Sequence, residues 1–437
     1  MKIGSIDTSA TMWKGQPLHE RLYVLLCLLI VVTMPLSVHA NSISIMLLAL
    51  NWIVEGQWKQ KAQRLASSKY AILWIAFFFY HAVSIVYSDH KKEAQFELEK
   101  KLSFLVFPLI FSTTDFITGK NARTILKYFI GACTMACIIC LGNATYYYFQ
   151  GNSSLFVYHG LGSGLGFHAV YFSTFIGLCI FSVLYHLLQN IGKMKTQKKT
   201  TFIALIFFFF IFLTLLSSKT IIVAVFFISL GMGIMRFLKR YSKLAMIGAT
   251  VLCLVVFAII VRKTAYLNGR FQEIFVENYS SVLERSDYRG FHFTGGTIRV
   301  AIWRSVFDVV NRNNAVLFGV GIGDAQTLLT NYYNEKHIYP GDAVLGFKGF
   351  THYNAHNQYL QFYLTLGIMG ATLFLLILIY CYKKAIKSGN VLLLSLLLMF
   401  SAFCLTESAL CSHKGVVFFM FFCSLFMLQK REEQSRN

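Results

Sequence analysis

The chain has 437 residues, of which 56% are hydrophobic, 16% aromatic and only 14% charged, and its mean hydropathy is +0.58. No soluble domain can bury so large a share of apolar side chains, so the composition excludes a soluble globular protein and predicts a polytopic helical membrane protein. The formal net charge of +21 would also fit a nucleic-acid-binding protein, but its distribution along the chain argues against a nucleic-acid partner.

Apolar segments follow one another along most of the chain and predict an all-α fold of about twelve transmembrane helices. Several are short for a hydrocarbon layer of about 30 Å, which favours tilted or partial spans. The polar N-terminal lead is long and no small-residue cleavage site follows the first apolar segment, so we do not expect a cleaved signal. The predicted spans are residues 21–39, 41–56, 70–87, 102–114, 125–149, 167–190, 201–217, 220–236, 244–261, 358–381, 391–407 and 415–429.

Basic residues indicate which side of the membrane each segment faces. With both termini inside, 24 Lys and Arg fall in cytoplasmic segments and 6 in short outer segments, while the remaining 10 lie in one long polar loop. The positive-inside rule then makes the long loop extracytoplasmic. We expect transmembrane helices 1 to 9 in residues 1–261, a large, partly helical catalytic loop in residues 262–357, and transmembrane helices 10 to 12 with a cytoplasmic tail in residues 358–437.

The long loop contains an arginine near a predicted helix start. Thr297 follows two glycines and is expected to cap this helix. Arg299 then lies in the first turn, where the helix dipole favours anions and a guanidinium can bind phosphate oxygens with two parallel hydrogen bonds. The alternative is a solvated loop arginine. The apolar positions that predict the helix are Ile298, Ile302 and Phe307.

Lys219 lies where the seventh predicted span turns into the eighth, directly after Ser217 and Ser218. One interpretation is a lysine that extends from a helix end toward water, which is common in membrane proteins. The other is an anion site, because the serine hydroxyls can donate hydrogen bonds and a helix N-terminus begins there.

Two histidines precede the tenth predicted span. His352 and His356 are four residues apart and would share a face if this stretch were helical, an arrangement that metal sites use. Neither a cysteine nor a carboxylate is near them in sequence, so we favour His356 as a general base over a structural histidine and over a metal ligand. The absence of a D-x-D motif disfavours a divalent-metal nucleotide-sugar enzyme.

Several motifs together resemble the O-antigen ligase and O-antigen polymerase superfamily, bacterial membrane glycosyltransferases that use glycans linked to polyprenyl pyrophosphate. The order of the spans, with a large outer loop before the last three, is also similar to that family. A departure is Ser218-Lys219, where the family typically has Ser-Arg, so that the charge is kept and the planar fork is lost. The motifs are Arg299 with Trp303, Gly319-Val320-Gly321-Ile322-Gly323, Ala355-His356-Asn357-Gln358-Tyr359-Leu360-Gln361 and Leu366-Gly367-Ile368-Met369-Gly370, with weaker matches around His168 and Glu407.

The resemblance implies an inverting glycosyltransferase of the bacterial inner membrane, with its active site on the periplasmic face and neither a metal nor a cofactor. A glycan on undecaprenyl pyrophosphate would be the donor, with Arg299 and Lys219 stabilising the departing pyrophosphate. His356 would take the proton of the acceptor hydroxyl. The side chains then expected to bind substrate are Asn357, His352, Trp303, His168 and Glu407.

Ligation of O-antigen to lipid A–core is the reaction that we favour from the resemblance. A polymerase and a protein O-oligosaccharyltransferase of the same superfamily would use the same donor chemistry with other acceptors. A different class of protein, a polysaccharide transporter or flippase, would need polar residues along a path through the membrane. The predicted spans carry almost no charge, and no inverted repeat is evident.

Overall fold

The computed structural model describes residues 18–237, 242–263, 268–269, 272, 279–342 and 347–429. The N-terminal lead, the expected cytoplasmic tail from residue 430 and parts of the predicted long loop lie outside the described residues. Helices dominate the described part. They are α1 Leu18–Thr33, α2 Val38–Glu55, α3 Trp58–Ser67, α4 Lys69–Tyr87, α5 Lys91–Lys100, α6 Ser103–Thr113, α7 Gly119–Tyr148, α8 Tyr158–Ser163, α9 Ala169–Asn190, α10 Thr196–Leu216, α11 Lys219–Phe237, α12 Lys243–Lys263, α13 Tyr279–Glu284, α14 Thr297–Arg312, α15 Ala325–Glu335, α16 Gln358–Ser388, α17 Val391–Thr406 and α18 His413–Leu428.

Each of the twelve predicted spans overlaps one of the long or apolar helices. Among the described residues, seven helices are long and apolar enough to cross a membrane, namely α2, α4, α7, α9, α10, α11 and α16. Both α17 and α18 are apolar but have only 16 residues. The all-α membrane fold is therefore present, whereas the number of twelve spans stays a prediction.

The bundle is organised around α9. Its residues from Phe172 to Val183 are all buried, because α7, α10, α11, α17 and α18 pack around it. Aromatic side chains fill much of this core, such as Phe175, which stacks on Phe418 with ring centroids 4.8 Å apart. A helix that is apolar on every face is stable only when other helices or lipid surround it.

The segment from residue 279 to residue 357 has a hydrophobic core of its own. Helix α14 contributes Ile298, Ile302, Val306 and Val310, which recur at the spacing of one helical face, and α15 contributes buried residues such as Tyr333. Two very short strands, β1 Gly341–Asp342 and β2 Phe347–Lys348, pair antiparallel in this segment. Phe307, the third apolar position that predicted this helix, lies five positions after Ile302 and off this face, and it is 46% exposed.

The predicted cap of α14 also differs in detail. Thr297 is the first helical residue rather than the cap. Thr294 and Thr297 instead provide hydrogen-bond acceptors for each other's backbone. The N–H of Thr294 donates to Thr297 Oγ1 at 2.7 Å, and the N–H of Thr297 donates to Thr294 Oγ1 at 3.2 Å. This reciprocal pairing is similar to that of a capping box, but it lies just before the helix, whose N-cap residue is Gly296.

Residues 315–324, which we call the glycine loop, attach the segment of residues 279–357 to the membrane bundle. Helix α16 is interrupted at Gly367, whose φ is 67°, so that the N–H groups of residues 368 and 369 do not bond within the helix. Two internal helical bonds are replaced by four bonds to the glycine loop. They run from Ile368 N–H to Val316 O (2.8 Å), from Met369 N–H to Leu317 O (3.3 Å), from Val320 N–H to Leu364 O (2.8 Å) and from Gly321 N–H to Thr365 O (3.0 Å).

Glycines on both sides of this contact, in the loop and in α16, allow the two backbones to approach each other closely. A Cβ atom on Gly319 would lie 2.4 Å from the backbone of Thr365 and Leu366, and one on Gly367 would lie 2.3 Å from the backbone of Leu317. Asp324 ends the loop and accepts hydrogen bonds from the N–H groups of Asp89 and His90, just before α5 begins. The motif Gly319–Gly323 therefore joins helices, and no phosphate-binding function is needed to explain it.

Candidate active site

One cavity of about 410 Å³ lies at the end of the bundle where α9, α11, α14 and α17 meet. Five of the side chains that the sequence singled out line this cavity, although they are far apart in the chain. They are His168, Lys219, Arg299, His356 and Glu407.

Arg299 is held in the first turn of α14, as expected. Its guanidinium donates to three different acceptors: Nη1 to Gly295 O at 2.7 Å, Nη2 to Glu407 Oε1 at 3.0 Å and Nε to Thr406 O at 3.3 Å. A guanidinium carries five N–H bonds, so two remain after these three contacts. The arginine thus joins α14 to the end of α17 and still lines the cavity with its charge.

Glu407 bridges Arg299 and His356. It follows α17 directly, its side chain is 9% exposed, and Oε2 accepts a hydrogen bond from His356 Nδ1 at 2.8 Å. Burial alone would raise the pKa of this carboxyl, but the hydrogen bond from His356 and the nearby charges of His356 and Arg299 outweigh burial and lower it. Glu407 is therefore a carboxylate, which accepts hydrogen bonds and does not donate them.

The donor role of His356 follows from this contact. Because Glu407 only accepts, Nδ1 of His356 carries a proton, and in the neutral tautomer Nε2 keeps its lone pair. The backbone at His356 is held in the left-handed region with φ 43°, and its N–H donates to Asn354 Oδ1 at 3.1 Å. Such backbone strain costs about 1–3 kcal/mol and is frequent at functional sites.

The residues after His356 brace the site. The Asn357 side chain accepts from the N–H groups of Tyr359 and Leu360 and so caps α16, while its amide donates to Leu405 O at 3.2 Å. The N–H of Leu410 donates to Gln358 Oε1 at 2.6 Å. These bonds tie the start of α16 to the end of α17, so that His356 and Glu407 are positioned by the same network. The expected binding of substrate by Asn357, which is 8% exposed, stays a prediction.

Lys219 reaches the same cavity from another side. It is the first residue of α11, and the turn before it is tight, with Ser217 in the left-handed region at φ 51°. Ser217 and Ser218 are both buried, and Ser218 lines the cavity with Lys219. A cation and the N-terminal N–H groups of a helix are therefore presented together at the cavity wall.

Two histidines that contact each other also line the cavity, and one of them is a residue that the sequence reasoning missed. His168 immediately precedes α9 and faces His159 with ring centroids 3.9 Å apart. The N–H of Ala169 donates to His159 Nδ1 at 3.3 Å. Burial, with the charges of His356 and Arg299, lowers the pKa of His168 despite the opposing effect of Glu407. Only a motif around His159 could have indicated it, and none is evident.

Two predicted site residues lie elsewhere. His352 is exposed and does not line the cavity, because residues 349–357 are not helical and the assumed common face with His356 does not exist. Tyr353 lines it instead, with its ring 4.7 Å from that of His356. Trp303 packs against the hydrophobic core of residues 279–357. Their roles in substrate binding stay predictions.

No three His, Cys, Asp or Glu side chains are grouped for a metal ion in the part of the chain that the structure describes. His352 and His356 in particular do not come together with a carboxylate ligand in a common site. Of these two histidines, only His356 contacts Glu407, and it does so through Nδ1, which carries a proton. The expectation of a metal-independent reaction is left as a prediction for experiment.

A family model described as O-antigen ligase matches residues 202–375. Members of this family are membrane glycosyltransferase-like enzymes, either ligases or polymerases. The matched segment includes Lys219, Arg299 and His356, whereas His168 and Glu407 lie outside it. The comparison with curated proteins gave no match. The match over residues 202–375 confirms the resemblance to the O-antigen ligase and O-antigen polymerase superfamily.

Proposed function

We propose that this protein transfers a glycan from undecaprenyl pyrophosphate to an acceptor hydroxyl, most specifically O-antigen to lipid A–core. The observation that carries the proposal is the convergence of Arg299, Lys219 and the His356–Glu407 pair on one cavity. Cations for an anionic leaving group and a base for a hydroxyl nucleophile are the two requirements of this transfer.

On the donor side, the bond between the anomeric carbon and the pyrophosphate oxygen breaks, and negative charge builds on that oxygen. Arg299 would bind the departing phosphate through the guanidinium N–H groups that its protein contacts leave available, and Lys219 would add a second positive charge. Fixed cations stabilise such charge without reorganising, which supports a reaction that needs no divalent ion.

On the acceptor side, a hydroxyl oxygen attacks the anomeric carbon from the face opposite the pyrophosphate, which inverts the configuration. His356 Nε2 would accept the hydroxyl proton, and Glu407 would stabilise the imidazolium that results. This arrangement follows the same logic as the histidine and carboxylate of serine hydrolases, in which the carboxylate orients the ring and fixes its tautomer.

The charge bias of the sequence supports an inner-membrane protein with this cavity on the periplasmic face. The polyprenyl tail of the donor would then remain in the bilayer while its glycan extends into the periplasm. A polymerase or protein O-oligosaccharyltransferase would use the same cavity, since only the origin of the hydroxyl differs. A transporter is disfavoured because a path for a polar substrate through the bilayer usually needs polar residues within the spans, and the predicted spans carry almost no charge.

The decisive experiment is transfer by the purified protein from one defined lipid-linked glycan. Three reactions are run in parallel, with lipid A–core, with donor alone, and with a serine-containing peptide, and His356→Ala serves as the inactive control. We expect a glycan–lipid A–core product only. Chain extension in the donor-only reaction identifies a polymerase, and a glycopeptide identifies a protein transferase. No product in any reaction, together with passage of the intact donor across vesicles, would favour the transporter.

A further inference from the structure

The tip of the glycine loop carries apolar side chains that no other part of the described chain covers. Val316, Leu317 and Phe318 are 42%, 58% and 56% exposed. Three consecutive exposed apolar residues are unusual on a surface that faces water, and they often mark an interaction site.

The position of this tip along α16 indicates what surrounds it. The loop bonds to residues 364–369, which lie six to eleven residues after α16 begins at Gln358. At a rise of about 1.5 Å per residue, the contact lies roughly 9–17 Å along the helix. Helix α16 is long and apolar enough to span a membrane. The tip therefore lies beside a membrane-spanning stretch and not above it.

A second candidate span, α4, flanks the tip on another side. The hydroxyl of Tyr87, the last residue of α4, donates to Phe318 O at 2.7 Å. Just beyond, Lys91 donates to the carbonyls at the end of α4. A tyrosine followed by a lysine is typical of the boundary between hydrocarbon and water. Phe318 is thus at or just below that boundary.

The exposed surface of the tip is continuous with lipid-facing side chains. On α16, Ile368 and Met369 are 46% and 56% exposed and bond directly to the loop. On α4, Val83 and Val86 are 56% and 79% exposed within one turn of Tyr87. One apolar surface therefore extends from α4 across the tip to α16.

A non-helical loop can enter hydrocarbon only if its backbone polar groups are paired. The interruption of α16 at Gly367 pairs part of the loop through its four backbone bonds. Two further bonds, from Tyr87 to Phe318 O and from the N–H of Gly319 to Ala315 O at 2.7 Å, leave every carbonyl oxygen of residues 315–318 paired. The N–H groups of residues 316–318 find no acceptor among the described residues, so the backbone of the tip lies at the boundary and only its side chains enter the hydrocarbon.

We propose that Val316–Phe318 form a wedge that inserts into the hydrocarbon of the leaflet on the side of the cavity, so that lipid acyl chains cover this surface. The wedge would anchor the segment of residues 279–357, which carries Arg299, at a fixed height over the bilayer. This inference concerns the membrane contact alone and does not depend on the transfer reaction.

Spin-label accessibility tests the wedge in protein reconstituted into phosphatidylcholine nanodiscs. The background variant is Cys253→Ser, because Cys253 is the exposed one of the ten cysteines. Leu317→Cys and, separately, Phe318→Cys carry the nitroxide. Met369→Cys is the matched lipid-facing control, and Asn334→Cys, exposed at the far end of α15, is the water-facing control.

We expect labels at 317 and 318 to collide frequently with oxygen and rarely with a water-soluble nickel chelate, as at 369. Collision with the chelate at the level of 334 would overturn the proposal, because the tip would then lie in water. Low collision with both reagents would also overturn it, since another protein surface would then cover the tip. Two adjacent labelling positions guard against a local disturbance by one label.

Discussion

Glu407 connects the two halves of the proposed chemistry. It accepts from His356 on one oxygen and from Arg299 on the other, at 2.8 and 3.0 Å. The sequence identified all three residues, but it assigned Glu407 to substrate binding. The pairing was beyond sequence reasoning, because 51 residues separate Glu407 from His356 and 108 separate it from Arg299.

Glu407→Gln should lower kcat strongly while leaving donor binding nearly intact. The amide can still contact the ring, but it neither stabilises an imidazolium nor fixes the Nδ1–H tautomer. We expect kcat to fall toward the value for His356→Ala, in which kcat should be about 10²–10⁴-fold below that of the wild type. Steady-state transfer rates and donor-lipid binding by the same preparations provide the measurement. If Glu407→Gln keeps full activity while His356→Ala does not, Glu407 only holds Arg299.

Arg299 should tolerate neither alanine nor lysine. Its guanidinium contacts Glu407, Gly295 and Thr406 simultaneously, which a single ammonium group cannot reproduce. Arg299→Ala should abolish transfer, and Arg299→Lys should retain only a small part of it. Lys219 provides the matched comparison, since Lys219→Arg should remain active and Lys219→Ala should be impaired. Full activity of Arg299→Lys would reduce Arg299 to a local charge.

The ionisation of Glu407 should make the stability of the protein depend on pH. Its pKa is lowered in the fold, so its stabilising effect is complete above the unfolded value of about 4.3 and is lost as pH falls through the folded value. The difference in unfolding free energy between wild type and Glu407→Gln should therefore shrink below about pH 4. Denaturant titrations between pH 7 and pH 3 measure it, and a difference that stays constant would mean that folding does not lower the pKa of Glu407.

At the level of elements, local chemistry explains where sequence reasoning succeeded. Helix α14 begins where its glycines and threonines indicated, and its core face follows helical spacing. Helical spacing failed for His352 and His356, because the chain there adopts an irregular path with His356 at φ 43°. The function of the glycine loop also escaped the sequence, since its partner is an interruption of α16 that only tertiary contact creates.

Gly367→Ala tests the attachment of the glycine loop to α16. A Cβ at this position meets the Leu317 backbone at 2.3 Å in addition to the strain of φ 67°. Gly389, which ends α16 at φ 62°, has open space around it and provides the matched control. Gly389→Ala should cost about 1–2 kcal/mol from φ alone, and Gly367→Ala clearly more. Equal losses in denaturant unfolding would show that the contact with Leu317 yields without cost.

For the whole molecule, composition and the length of the apolar runs were sufficient to identify a helical membrane protein, because a helix pairs all the backbone polar groups of a long apolar run within that run. Hydropathy also located a helix for every predicted span. It could not determine how many of them cross the bilayer, since α17 and α18 are short and a tilted or partly buried helix has the same composition. Which face carries the cavity depends on the charge bias alone.

Cysteine labelling in intact cells tests that orientation directly. Lys195 precedes α10 and is exposed in a basic segment expected in the cytoplasm, whereas Asn334 is exposed in the segment that carries Arg299. With 24 basic residues inside against 6 in the short outer segments, Asn334→Cys should react with an impermeant maleimide in intact spheroplasts. Lys195→Cys should react only after lysis, and the unaltered protein reports labelling of native cysteines. The reverse pattern would place Arg299 and its cavity in the cytoplasm, where a periplasmic ligation reaction could not occur.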